Sequence, residues 1–100
     1  MSFSGGSYDE VERWLHNFLV SHAKRVDPRI EVTLDSGDER EGVSYAARLR
    51  LGDRTTEPIE FDYKEVAANR GSLAWGAALA ERVKQVARSQ LVTATTSGRR

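Results

Sequence analysis

Three short stretches of strict apolar–polar alternation stand between two longer stretches whose apolar residues recur every three or four positions. Alternation at period two marks a strand with one buried face, and the longer spacing marks an amphipathic helix. One hundred residues suffice for one hydrophobic core and not for two, so the five segments must bury their apolar faces against one another. The order predicts an α+β domain: a two-layer α/β sandwich of element order α-β-β-β-α. Consecutive strands with short connections form a three-stranded antiparallel meander in the order 1-2-3. Both helices are expected on one face of that sheet, because the other face carries a lattice of opposite charges and is expected to be solvated.

Local signals agree with this layout. Ser7-Tyr-Asp-Glu10 has the form of a capping box, in which the hydroxyl and the carboxylate satisfy opposite amides of a first helical turn. Val11, Leu15, Phe18, His22 and Val26 follow as a stripe, widened by Trp14 and Leu19. Asp27-Pro28 ends it, since the residue before proline is pushed out of the helical region. The spacing therefore predicts a helix from about Tyr8 to Val26. Ile30, Val32 and Leu34 give the inward row of a first strand, and Ser36–Gly42 reads as a charged hairpin loop. Val43, Tyr45, Ala47, Leu49 and Leu51 give the second, and Gly52-Asp53-Arg54 a turn. Ile59, Phe61 and Tyr63 give the third, starting at Pro58, which has no N–H to place in a ladder. On the outer face, Arg48 and Arg50 are expected opposite Glu60 and Asp62. Residues 65–71 fit a loose helical turn or a loop equally well. Ser72 is a candidate N-cap for the last helix, where Trp75, Leu79, Val83, Val86 and Ala87 form a stripe running to about Leu91. Gly76, Ala77, Ala78 and Ala80 make its first half slim.

Composition closes several routes. There is no cysteine, which rules out disulfides, thiolate metal sites and cysteine nucleophiles. No apolar run approaches the ~18 residues of a membrane span, and the first residues lack a basic start followed by an apolar stretch. A cytoplasmic protein, and a bacterial one, is the resulting expectation. Residues 1–6 and 92–100 are small and polar and are expected to be disordered, leaving 7–91 as the single domain. Zero net charge hides an asymmetry. Residues 1–47 carry five basic and nine acidic side chains, and residues 48–100 carry ten and six. Such a dipolar chain suits head-to-tail pairing with itself or an anionic partner at its basic end. A basic last helix also complements its own macrodipole.

No constellation of catalytic type stands out. His16 and His22 are the two histidines, six positions apart, whereas two metal ligands on one helix need a spacing of three or four to face the same way. His22, within the stripe, is expected to be packed and hydrogen-bonded, and His16 to lie in solvent near Glu12. No serine has a Gly-x-Ser-x-Gly context. Asp35, Asp38, Glu39 and Glu41 crowd one loop without the register of a calcium-binding loop. The glycines form neither a Walker nor a Gly-x-Gly-x-x-Gly pattern. No metal, no cofactor and no enzymatic activity are expected. Trp14 and Trp75 are expected to share a core contact, with Trp75 as an exposed anchor for a partner as the sharper alternative. Tyr45 and Tyr63 are placed to bring their hydroxyls to the rim of the core.

The order α-β-β-β-α over about Tyr8–Leu91 is similar to that of double-stranded RNA-binding domains and of small nucleoid proteins of the YbaB type. The similarity implies nucleic-acid binding. The first of these families uses a Gly-Pro-x-His loop and a lysine cluster at the start of its last helix. Here the loop is the net acidic Ser36-Gly-Asp-Glu-Arg-Glu-Gly42, and the last helix opens Ser72-Leu-Ala-Trp-Gly76 behind Arg70 alone. Phosphate binding draws on clustered cations. A weak electrostatic nucleic-acid site would have to use Arg82, Lys84, Arg88, Arg99 and Arg100, yet Arg82 and Lys84 lie about 200° apart around a helix. The first strand, by contrast, lacks a proline guard. Its residues Ile30, Val32 and Leu34, with Trp75, are the candidate partner-binding set. The leading expectation is a non-enzymatic protein–protein interaction module, with a second copy of itself, as a homodimer, among the candidate partners.

Overall fold

The capping box forms as its sequence requires. Glu10 N–H donates to Ser7 Oγ and Ser7 N–H to Glu10 Oε1, both at 3.1 Å, and helix α1 runs over Tyr8–Val26. The computed structural model describes residues 6–36 and 38–92, so most of the two terminal segments expected to be disordered lie outside the described residues. At the far end of α1, Asp27 is extended, and Lys24 Nζ donates to the carbonyls of Pro28 and Ile30. The side chain of Arg29, and then its N–H, bond the Asp27 carboxylate and hold its pKa down at about 2.

Strand β1 (Glu31–Asp35) follows, then a 3-10 turn at Asp38–Arg40 and strand β2 (Ser44–Leu51). β2 is the centre of an antiparallel sheet, with Val32 opposite Leu49 and Leu34 opposite Ala47 on one side. Gly52, at φ +66°, makes the tight turn out of β2, a conformation that disfavours a side chain. On the other side of β2 the third strand is split in two: β3 (Arg54–Thr55) and β4 (Ile59–Asp62). Arg50 pairs with Thr55 but Ala47 with Ile59, so one extra residue is accommodated between them as a bulge. Thr56, only 4% exposed, sits at the bulge. Its N–H donates to the Leu49 carbonyl, and its hydroxyl accepts from Leu49 N–H at 3.1 Å, where a regular ladder would supply a backbone oxygen.

The third strand also ends earlier than its alternation predicts. Asp62 turns its carboxylate to Glu65 N–H and caps a short helix, α2 (Tyr63–Asn69), so Tyr63 opens a helix instead of extending the inward row. The stretch 65–71 is thereby resolved as helix and turn. Ser72 then caps α3 (Leu73–Ala87), which widens into one π-helical turn over Arg88–Val92 and returns Leu91 to the core.

One cluster joins the layers: Val11, Leu15, Leu19 and Ala23 of α1, the inward rows of the sheet, and Leu79, Val83 and Ala87 of α3. The helices thus share one face, and the fold is the α+β sandwich that the sequence predicts, with a third short helix and a fourth strand segment added. Along the α1–α3 seam Trp14, Phe18 and His22 form a ladder of rings, with centroids 5.1 and 4.4 Å apart, and Trp14 meets Trp75 at 6.4 Å. The shared tryptophan contact is therefore present.

Three tyrosines pin the other end. Tyr8 stacks on Tyr45 at 4.6 Å and meets Tyr63 edge-on at 5.3 Å. Their hydroxyls donate to the carbonyls of Ser44, Tyr8 and Gly6 respectively when taken in the order Tyr8, Tyr45, Tyr63. Burial, with the neighbouring tyrosines second, pushes the Tyr45 phenol well above its ordinary pKa. Gly6 has φ +103°, a conformation that residues with a side chain rarely adopt, so this docking favours glycine.

The charged outer face follows the observed register instead of the expected one. Ser44 and Ala46 lie opposite Asp62 and Glu60, which leaves Arg48 and Arg50 beyond the end of β4. They pair across the other side of the sheet, Arg48 with Asp35 at 2.8 Å and Arg50 with Glu31. Glu60 takes Arg40 through two bonds of 2.8 and 3.1 Å, which lower its pKa.

Candidate interaction surface at the β1 edge

β1 lies at one margin of the sheet and pairs with β2 alone. In an antiparallel strand the N–H and C=O of one residue point the same way, and successive residues alternate. The Val32 carbonyl accepts from His16 Nε2 at 3.3 Å, away from β2. Val32 and Leu34 therefore turn their backbone groups outward, while Glu31, Thr33 and Asp35 carry the ladder to β2. The pairing of Leu49, opposite Val32, with Thr56 on the far side of β2 gives the same phase.

Beside this edge runs an open groove of about 590 Å³, lined by Asp9, Glu12, Arg13 and His16 of α1 and by Val32, Thr33 and Leu34 of β1. α1 is fixed over the strand at two points, through His16 and through Ser36 Oγ, which donates to Glu12 Oε2 at 2.6 Å. His16 is thus part of the edge and not a solvated side chain, a correction to the sequence expectation. Spacing shows that His16 and His22 lie on different faces of α1, but nothing in it reveals that one of them reaches a strand carbonyl. His22 also differs from expectation: its buried Nδ1 has no hydrogen-bond partner. Burial first, then the charges of Arg25 and Lys84, lowers its pKa.

The sequence-derived candidates separate into groups. Ile30 is 0% exposed, and both its backbone groups are used, its N–H by Asp27 and its carbonyl by Lys24, so it belongs to the core and presents nothing to a partner. Val32 and Leu34 are half-buried at the groove. Trp75 lies elsewhere, against Trp14 on one side and on the other a smaller cavity of about 180 Å³ shared with Phe61, Leu79 and Arg82.

The basic residues do not converge on one point. Arg82 lies over the Phe61 ring at 6.0 Å, and Lys84 pairs with Glu81 at 3.1 Å on the side of α3 facing His22. Arg88 is exposed. Arg99 and Arg100 lie outside the described residues. Among the described residues no three metal-ligating side chains come together, and no helix is long and apolar enough to cross a membrane. No protein-family model, curated protein or solved structure matches this chain.

Proposed function

We propose that this domain is a non-enzymatic interaction module that binds an extended segment of a partner as an added strand along β1. The supporting observation is the outward-facing backbone of Val32 and Leu34 beside the α1 groove. Main-chain hydrogen bonds would give such a complex its affinity, and the groove would receive every second side chain of the partner. Among the described residues only the His16 contact occupies this part of the edge, and its 3.3 Å length makes it a weak competitor.

The test is amide hydrogen exchange followed by NMR, with and without the neutral strand peptide acetyl-Ser-Val-Thr-Val-Thr-Val-Ser-amide. The peptide is expected to slow exchange at Val32 and Leu34 and at no outward amide of the opposite margin. Leu34→Pro removes one outward N–H without touching the ladder to β2 and is expected to abolish that protection. Leu34→Lys places a charge in the groove and is expected to do the same with the backbone intact. Unchanged exchange at both amides, with the peptide at millimolar concentration, would overturn the reading.

A further inference from the structure

A bare strand edge accepts any extended chain, including another copy of itself, so the charges around it decide which occupant fits. The solvent face of β1 reads Glu31, Thr33, Asp35, with the two carboxylates paired to arginines of β2, and α1 adds Asp9 and Glu12 above the groove against Arg13.

Self-pairing meets a specific obstacle. Two β1 strands that join through the outward groups of Val32 and Leu34 must set the intervening residues of one against the same set of the other. In the antiparallel register of fullest overlap Glu31, Thr33 and Asp35 then face Asp35, Thr33 and Glu31 of the second copy. This register puts Glu31 directly opposite Asp35 twice, and like charges directly opposite are destabilising. The strand Glu31–Asp35 itself contributes no cation to such a pairing.

Each of the two carboxylates already accepts one arginine from β2, Arg50 on Glu31 and Arg48 on Asp35. A carboxylate has room for several donors. A lysine or arginine on the far side of each would extend the row to cation–anion–cation across three strands, the arrangement that β2 and β1 have begun.

We infer that the occupant of the β1 edge is a segment of a different protein, one in which small apolar residues alternate with lysine or arginine. The apolar residues enter the groove beside Val32 and Leu34, and the basic ones lie opposite Glu31 and Asp35. This rests on the strand-addition reading above and specifies the partner for it.

Two relatives of the neutral peptide test it: one with lysine in place of each threonine and of the last serine, which sets a lysine opposite both Glu31 and Asp35, the other with glutamate at the same three positions. At low salt the lysine peptide is expected to protect the Val32 and Leu34 amides at about one fifth of the concentration the neutral peptide needs. The glutamate peptide is expected to need more than either. In about 1 M salt, where screening acts over about 3 Å, the three should converge. The double variant Glu31→Gln, Asp35→Asn should bind the neutral peptide as before and lose the preference for lysine. Equal protection by all three peptides at low salt would overturn the inference and leave strand addition standing. Protection by none would remove both. Concentration-dependent shifts at Val32 and Leu34 in the protein alone, with dimers in sedimentation, would overturn the choice of a different protein.

Discussion

The two margins of the sheet are built on different principles. At the third strand, a bulge at Thr56 divides β3 from β4, Pro58 contributes no N–H, and the Glu57 N–H is taken by the side chain of Gln90 in the π-helical turn. Interruption, a missing donor and a covering side chain are the devices by which proteins blunt an edge against unwanted strands. At β1 the strand runs five residues without a break, and one histidine contact stands on its outer side. The three devices interrupt one margin at residues 56–58, whereas β1 is continuous. In the strand-addition proposal, the carboxylates of Glu31 and Asp35 select the strand that this margin takes.

The comparison breaks first at the closed margin. Thr56→Val keeps the shape but strands the Leu49 N–H in a buried position, at a cost of about 1–3 kcal/mol. Urea unfolding is expected to show that loss. A loss near zero would mean that the bulge is ornamental and the two margins are alike.

Acid provides a smaller test that should treat both margins alike, because the group concerned lies in the helical layer above them. His22 is held neutral in the folded chain with its pKa below the ordinary 6.5, chiefly by burial. The unfolded chain therefore takes up its proton first as pH falls. The stability associated with neutral His22 is present in full above the ordinary value and is lost as pH drops towards the lowered one. Thermal unfolding between pH 7.5 and 5 should show this decline, and His22→Phe should flatten it. An equally steep decline in the variant would place the titrating group elsewhere.

The smallest effect on stability belongs to the open margin. His16→Ala removes one long contact and should cost about 0.5 kcal/mol, while exposing the Val32 carbonyl to an incoming strand. The neutral strand peptide should then bind about threefold more tightly. Weaker binding would make His16 part of the receiving surface instead of its cover.

What the sequence made legible was whatever depends on near neighbours. The box at Ser7 and Glu10, the stop at Asp27-Pro28 and the alternation around Leu49 each rest on residues within a turn or a strand of one another, and the layers follow from them. The one extra residue accommodated near Thr56 is different. Alternation fixes which face a residue takes but not how many residues separate two pairings, so the bulge was invisible, and with it the register that sends Arg48 and Arg50 to Asp35 and Glu31. Alternation makes Asp62 one more outward strand residue, although aspartate three positions before Glu65 is itself a capping signal that locates the start of α2. The edge at β1 was legible as a missing proline. Its histidine contact was not, because it joins positions sixteen residues apart.

The aromatic residues have been sorted between the two seams of the molecule. Both tryptophans stand where helix meets helix, and the three tyrosines where helix meets sheet. The protein consequently carries two optical reporters with separate addresses. Indole fluorescence follows the parting of α1 from α3, and the near-ultraviolet absorbance of the phenols follows the lifting of α1 from β2. Curves that coincide on heating would identify a molecule that comes apart as one unit, and curves that separate would reveal which seam opens first.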